Sequence, residues 1–185
     1  MRDRGEAPPT IAGSLLLAHP GMRDPNFRRT VVLLSAHGDD GAMGLVLNRP
    51  LRKRLGDLNA EFAASPLAGV PVYQGGPVQT EQLVLAAWKS DPLEGGYKLF
   101  FGIDVDKAQV LQGEAGVHLR AFLGYSGWTK GQLENELKQH TWVITPVNAD
   151  LLEKEEGQGL WRVILSGLSP EWKLMAGEPD DPEVN

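Results

Sequence analysis

The chain has 185 residues, of which 42% are hydrophobic and 23% charged, a balance that predicts one globular domain and excludes a disordered chain. The net charge of −6 argues against a dedicated nucleic-acid binder, whose affinity comes largely from neutralising phosphates. The absence of cysteine excludes disulfides and thiolate nucleophiles and fits a reducing compartment. No apolar run approaches the roughly 20 residues that span a bilayer, and the opening stretch lacks a signal-peptide core. We therefore predict a cytoplasmic protein without membrane contact.

The first half of the chain reads as strands joined by turns. After a flexible polar arm at residues 1–12, the apolar run Gly13–His19 predicts a buried strand. The β-branched and apolar residues of Thr30–Asn48, broken by HGDDG, predict a β-hairpin. Residues 52–64 predict a short helix, and Val70–Pro77 predicts a strand that ends at two glycines and a proline.

The second half mixes strands and helices. Strands are predicted at residues 81–88, 97–103, 117–126 and 141–147, and helices at residues 105–113 and 159–168. Pro146 places the last strand near a sheet edge, because proline cannot donate to a ladder. Residues 171–185 are acidic and proline-rich and predict a disordered tail. Because strands do not alternate strictly with helices, the class is α+β, with a single domain at residues 13–170 and a mostly antiparallel or mixed sheet.

The stretch GYSGWTKGQLENELKQ, residues 124–139, crowds three glycines and a serine ahead of a helical pattern. It does not match the G-x-S-x-G elbow of hydrolases, because the second glycine comes one position early and Trp128 stands in its place. It lacks a phosphate-binding loop as well, since Lys130 is followed by Gly131 rather than by Ser or Thr. We therefore predict no catalytic residue here, Ser126 included.

A well-capped helix accounts for the residues after the glycines. With Thr129 as N-cap, Gln132 completes a T-x-x-Q capping box, and Trp128 and Leu133 occupy the positions of a hydrophobic staple. The helix also predicts a surface ion pair, Glu134 with Lys138.

The glycines are not explained by capping. Glycine allows close approach of a second backbone or of a ligand, and a helix N-terminus offers free amides to an anion; packing is the better supported of the two. If the glycine turns line a groove, the candidate ligand-binding residues are Asn48, Arg49, Gly75, Gly76, Gly124, Tyr125, Gly127, Trp128 and Gln132.

Other polar clusters predict surface roles. The basic run Arg49, Arg52, Lys53 and Arg54 carries no interleaved aromatic residue, so it favours a solvated helix start or loop over a nucleic-acid site. The histidines show no metal-ligand spacing. We predict no metal and no cofactor.

Three blocks of the sequence resemble the YqgE/AlgH family of bacterial proteins. They are GSLLLAHPGMRDPNFRRTVVLLSAHGDDGAMGLVLNRPL, VYQGGPV and GYSGWTKGQLENEL with the following Trp142. The likeness extends from about Gly13 to Leu168 and implies a single compact α+β domain with a partly barrel-like sheet in a cytoplasmic bacterial protein. It supplies no catalytic residues. The pattern departs at Ser126, where alanine is more usual.

Three functions stay open at this point. The first is a non-enzymatic binding or regulatory domain that takes a small ligand or a protein partner in the glycine-turn groove. The second is an enzyme in which Arg49 and the helix amides at residues 124–132 stabilise an anion beside a histidine or aspartate base. The third is a transcriptional regulator that contacts nucleic acid through residues 49–54, as the name of one branch of the family implies.

Overall fold

The computed structural model describes residues 10–91, 93 and 96–179. The strands in that part of the chain are β1 (Leu15–Ala18), β2 (Val31–Gly38), β3 (Gly41–Val46), β4 (Pro50–Arg54), β5 (Pro71–Gln74), β6 (Val78–Asp91), β7 (Gly96–Phe101), β8 (Val117–Thr129) and β9 (Trp142–Thr145). The helices are α1 (Ala60–Ala63), α2 (Val105–Gln112), α3 (Gln132–Lys138), α4 (Ala149–Lys154), α5 (Gly157–Ser166) and α6 (Pro170–Ala176). A 3-10 turn at Leu55–Asp57 precedes α1.

These strands form one mixed, curled sheet with the shape of a half-barrel. The order is β4-β5-β8-β3-β2-β1-β9, and the ribbon of β6 and β7 joins it through β8. Strands β5 and β8 run parallel, and the other described pairs run antiparallel. The predicted class, a single compact α+β domain with a partly barrel-like sheet, is confirmed.

Strand β8 connects the two halves of the sheet. Up to Leu123 it pairs with β5, and from Ser126 onward it pairs with β3, while β6 pairs with it at residues 117–123 and again at Tyr125. Gly124 lies between these partners with φ at +75°, a conformation that glycine adopts without the steric cost borne by other residues. The strand therefore changes partners at a glycine.

The core follows from the alternation of side chains along the strands. Leu15 and Leu17 of β1 face one apolar cluster, which α5 covers, while Leu16 and Ala18 face a second cluster with α3. On the α5 side the Trp161 indole is fully buried and donates a hydrogen bond to the Ala18 carbonyl at 2.8 Å. A third cluster packs the 3-10 turn and α2 against β5, β6 and β8.

Two local predictions are confirmed. Strands β2 and β3 form the antiparallel hairpin expected at Thr30–Asn48, with the turn at residues 39–40. Strand β9 lies at the end of the strand order and pairs with β1 among the described strands, as Pro146 indicates for the chain just beyond it.

The prediction of a helix over residues 52–64 is wrong in its first part. Residues 50–54 form β4, which pairs with β5, and helix α1 begins only at Ala60. The side chain of Asn59 accepts a hydrogen bond from the Phe62 amide at 2.8 Å and so fixes the helix start there. The helical spacing of apolar residues did not reveal the sheet partner that holds the preceding residues extended.

The C-terminal part of the described chain is helical. The segment assigned to a tail, residues 171–185, overlaps helix α6, which Ser169 caps and which carries Pro170 in its first turn. Residues 1–9 and 180–185 lie outside the described residues.

Across the described part of the chain, every helix is too short or too polar to cross a membrane.

Candidate functional site

The two glycine turns of the sequence meet at the centre of the sheet. A Cβ atom on Gly75 would lie 2.3 Å from the Gly124 carbonyl oxygen, and a Cβ on Gly124 would lie 2.4 Å from the Gly76 carbonyl oxygen. A Cβ on Gly76 would lie 2.2 Å from the Tyr125 carbonyl. The bare backbone at these glycines is therefore accounted for by packing of one segment against another.

Asn48 and Arg49, the predicted polar lining of the groove, bond to the protein's own backbone. The buried Asn48 amide accepts from the Val31 amide at 2.9 Å and donates to the carbonyls of Arg29 and Gly157, each at 2.9 Å. The Arg49 guanidinium donates to the carbonyls of residues 25, 26 and 28. These hydrogen bonds connect the start of β2 and the loop before it to the rest of the fold.

Little open space is left where the predicted groove should lie. The crevice between Arg49, Gln74 and the Gly76–Pro77 turn is too narrow to admit a water molecule. The Ser126 hydroxyl is fully buried and donates to the Gly75 carbonyl at 3.2 Å, so it is not placed as an accessible nucleophile. A ligand role for the glycine-turn residues stays a prediction.

The residues after the glycines differ from the predicted turn. Strand β8 runs on to Thr129, and the N-cap of α3 is Gly131, with φ at +75°, instead of Thr129. Half of the capping box forms, since the Gln132 side chain accepts from the Thr129 amide at 3.0 Å. Trp128 and Leu133 are buried in the same cluster, but with Gly131 as N-cap they do not occupy the N′ and N4 positions of the predicted hydrophobic staple.

The Glu134 carboxylate of α3 has a different ion-pair partner from the predicted one. Glu134 pairs with His37 at 2.6 Å, and no salt bridge to Lys138 forms within the described residues.

Close packing does not explain the glycine at residue 127. A Cβ atom on Gly127 would meet only ordinary contacts, from 3.7 Å outward.

Glu136 of α3 is expected to lower stability as the pH rises. Burial raises the pKa of its carboxyl by more than the nearby indole groups of Trp142 and Trp128 lower it. A raised pKa favours the neutral acid in the folded state, so this stabilisation is complete below the unfolded pKa of about 4.5 and is lost as pH rises through the folded pKa. Glu136→Gln should therefore raise the melting temperature more at pH 7 than at pH 4. The gain in the free energy of unfolding should stay below about 1 kcal/mol, because the side chain is partly exposed.

Glu134→Gln on the same helix is the matched control for thermal unfolding. The Glu134 pKa is lowered, first by a backbone hydrogen bond and then by His37, so its stabilisation is present at neutral pH and is lost on acidification. The two variants should shift stability with opposite pH dependence. Parallel behaviour of both would contradict the burial argument for Glu136.

An open cleft lies elsewhere, on the face of the β6–β8 ladder next to α4. Its volume is about 460 Å³. The lining residues are Gly69, Val70, Pro71, Tyr73, Trp88, Gln112, Val117, His118, Leu119, Arg120 and Glu153. We call it the Arg120 cleft.

Arg120 gives the cleft its electrostatic character. Its residue is 8% exposed, and its guanidinium lies between two rings, 4.4 Å from the Tyr73 centroid and 4.9 Å from the Trp88 centroid. Two of its N–H groups donate to the carbonyls of Leu47 at 3.0 Å and Leu152 at 2.7 Å. Burial lowers the pKa of Arg120 because desolvation penalises the cation.

A histidine–glutamate pair stands at the rim of the cleft. The Nε2 atom of His118 lies 2.8 Å from a carboxylate oxygen of Glu153, with both side chains partly exposed. The His118 ring stacks on Trp88 with centroids 6.4 Å apart. The Tyr73 hydroxyl donates to Glu156 at 3.4 Å, and burial, above all other causes, raises the pKa of this phenol.

Sheet register brings these residues together. His118 and Arg120 are two positions apart on β8 and therefore share a face, and Trp88 of β6 is the cross-strand partner of His118. Sequence reasoning missed this set. The available signal was the polar pair His118 and Arg120 at period two within the otherwise apolar stretch of residues 117–123.

Three arginines of the basic run contact their own protein. Arg52 lies 3.5 Å from Glu156, and Arg54 donates to the Gly69 carbonyl; with Arg49 these residues contact their own protein, on strand β4 and beside it instead of on a helix start. Within the described residues no group of three or more His, Asp or Glu could hold a metal ion.

Comparison with known sequences places the chain among related bacterial proteins. A family model described as AlgH-like matches residues 15–173. A UPF0301 protein of Streptomyces coelicolor is 35% identical, covering 95% of this chain and 96% of the relative. A UPF0301 protein of Bacteroides fragilis is 34% identical, covering 94% and 90%.

Solved structures agree with this placement. The solution structure of the AlgH protein from Pseudomonas aeruginosa matches with a TM-score of 0.65 and 27% identity, covering 97% of this chain and 98% of that one. A crystal structure of a Corynebacterium diphtheriae protein matches with a TM-score of 0.69 over 96% and 95%, at 22% identity, and supports the fold alone. The chain therefore belongs to the AlgH-like family.

Proposed function

We propose that this protein is a non-enzymatic binding domain that takes a small ligand in the Arg120 cleft. The observation that carries the proposal is the buried Arg120 guanidinium, which lines the open cleft. Among the described residues, no carboxylate lies within 4.0 Å of it. The cleft replaces the glycine-turn groove as the preferred binding site, because the glycine turns are filled by their own backbone.

A buried cation without an ion-pair partner is unusual in a protein core. Burying a charge is costly unless it is paired and hydrogen-bonded. Two backbone carbonyls and two aromatic faces offset part of that cost at Arg120. Such perturbed groups in clefts concentrate at functional sites, and a volume of about 460 Å³ suits a small molecule.

The composition of the lining supports binding over catalysis. The His118–Glu153 pair resembles an oriented general base. The described lining residues include no serine, threonine, cysteine or lysine for it to activate. Within the cleft, an enzyme alternative therefore rests on that pair. It predicts turnover of a test ester such as 4-nitrophenyl acetate, and turnover that His118→Gln abolishes would overturn the non-enzymatic assignment.

The nucleic-acid alternative has weaker support. Arg49, Arg52 and Arg54 contact their own protein, which leaves less of the basic run to face phosphates. A cytoplasmic location, a regulatory role and a protein partner remain predictions from the sequence.

The binding proposal is tested by titrating the ¹⁵N-labelled protein with three probes, benzoate, benzamide and benzylamine, while backbone and indole signals are followed. We expect saturable shifts for at least one probe, centred on Trp88, His118 and Arg120. His118→Ala should change these shifts, while His37→Ala, which removes the other histidine–glutamate pair, should not. Shifts from none of the probes at millimolar concentration, or shifts centred elsewhere, would refute the site.

A further inference from the structure

We propose that the ligand of the Arg120 cleft is a small carboxylic acid with an apolar body, its carboxylate bound by Arg120 and by the indole N–H of Trp88. This inference rests on the proposed binding function and names its ligand class. It follows from the balance of hydrogen-bond donors and acceptors around the cleft, from the charges there, and from the apolar part of the wall.

The cleft has an excess of donors. A guanidinium has five N–H groups, and for Arg120 two described acceptors are found, the carbonyls of Leu47 and Leu152. Trp88 is 1% exposed, and its buried indole nitrogen has no hydrogen-bond partner among the described residues. Both residues are among those that line the cleft. A buried donor without an acceptor is destabilising, so a ligand that supplies acceptor oxygens is favoured.

The charges favour a single negative charge on the ligand. Arg120 is the one arginine or lysine among the described lining residues. Glu153 lines the cleft beside His118, and Glu156 accepts a hydrogen bond from the Tyr73 hydroxyl. A phosphate monoester, with nearly two negative charges at neutral pH, would meet these carboxylates with Arg120 as the one arginine or lysine in the described lining, since Arg52, which pairs with Glu156, lies outside it. A carboxylate carries one charge and matches the planar guanidinium.

The remaining wall favours an apolar body. Val70, Pro71, Val117 and Leu119 line the cleft together with Trp88 and His118. Burial of apolar ligand surface against such residues is favourable in proportion to its area. The fitting molecule is therefore a carboxylate attached to an apolar or aromatic group.

The ligand class is tested by calorimetry with benzoate, its neutral isostere benzamide, and phenyl phosphate. We expect benzoate to bind at least about tenfold more tightly than benzamide, since a hydrogen bond to a charged group is worth more than one to a neutral group. Phenyl phosphate should bind more weakly than benzoate. Equal affinity for benzoate and benzamide, or a preference for phenyl phosphate, overturns the carboxylate assignment.

Variants locate the carboxylate. Trp88→Phe keeps a ring but removes the N–H and should weaken benzoate about two- to tenfold. Glu153→Gln removes the opposing charge and should strengthen phenyl phosphate about two- to fivefold. Glu134→Gln, in the histidine–glutamate pair outside the cleft, should change neither affinity. If Trp88→Phe does not fold, the indole N–H signal of Trp88 in the unmodified protein serves instead: it must shift on saturation with benzoate, and no shift refutes the contact.

The two proposals fail in different ways. If none of the probes binds at the cleft, the binding function itself fails. If benzamide or benzylamine binds there as well as benzoate does, the binding site stands and the ligand class is wrong.

Discussion

Gly124→Ala is expected to destabilise the protein by about 2–5 kcal/mol, the sum of left-handed backbone strain and overpacking. Gly124 has φ at +75°, and a Cβ there would lie 2.4 Å from the Gly76 carbonyl oxygen and 3.1 Å from the Val78 carbonyl oxygen. Both neighbours are backbone atoms in a sheet junction, so neither moves without disturbing the pairing of β8. Denaturant unfolding followed by far-UV circular dichroism measures the loss.

Gly131→Ala separates the two contributions. Gly131 also has φ at +75°, but a Cβ there would meet nothing within 4 Å. This variant should therefore lose only the backbone contribution, about 1–2 kcal/mol. Equal losses for the two variants would show that the close approach at Gly124 contributes nothing to stability.

Asn48→Ala is expected to cost about 2–4 kcal/mol, because it breaks three hydrogen bonds of a buried amide and leaves their partners without it. The amide joins the Val31 N–H of β2, the Arg29 carbonyl and the Gly157 carbonyl at the start of α5. The loss should appear as a lower denaturation midpoint with an unchanged denaturant slope.

Asn59→Ala is the control for removal of an asparagine side chain. Asn59 is exposed, and its one described side-chain hydrogen bond caps α1, so its loss should cost about 1 kcal/mol. An Asn48→Ala variant no less stable than Asn59→Ala would mean that the buried network is replaced by water or by a shift of α5.

These expectations give Asn48 and the glycines of residues 75, 76 and 124 a structural role at the junction of the sheet. Their part in the sequence pattern is then explained by what only those residue types can do there. Glycine alone fits where two backbones come within contact distance. Asparagine supplies both a donor and an acceptor from one planar group, as the Asn48 contacts require.

Local sequence determined much of the secondary structure. The β-branched run of Val31–Gly38 and the turn after it form a hairpin with neighbours in sequence, so their pattern was sufficient. Helix α5 was predictable because Leu160 and Ile164 recur at helical spacing and are buried on one face. The family followed from three sequence blocks whose order is kept, and the AlgH-like match over residues 15–173 confirms it.

Tertiary structure alone decided the rest, because the deciding partners are distant in sequence. Lys53 and Arg54 extend as part of β4 because β5, about twenty residues later, pairs with them. The glycines at residues 75 and 124 meet because β5 and β8 run side by side. The Arg120 cleft exists because register sets Trp88 opposite His118 and leaves Arg120 between Trp88 and Tyr73. Periodicity predicts which face a side chain occupies; it does not say which residue of another strand faces it, since strand pairing is fixed by the packing of the whole chain.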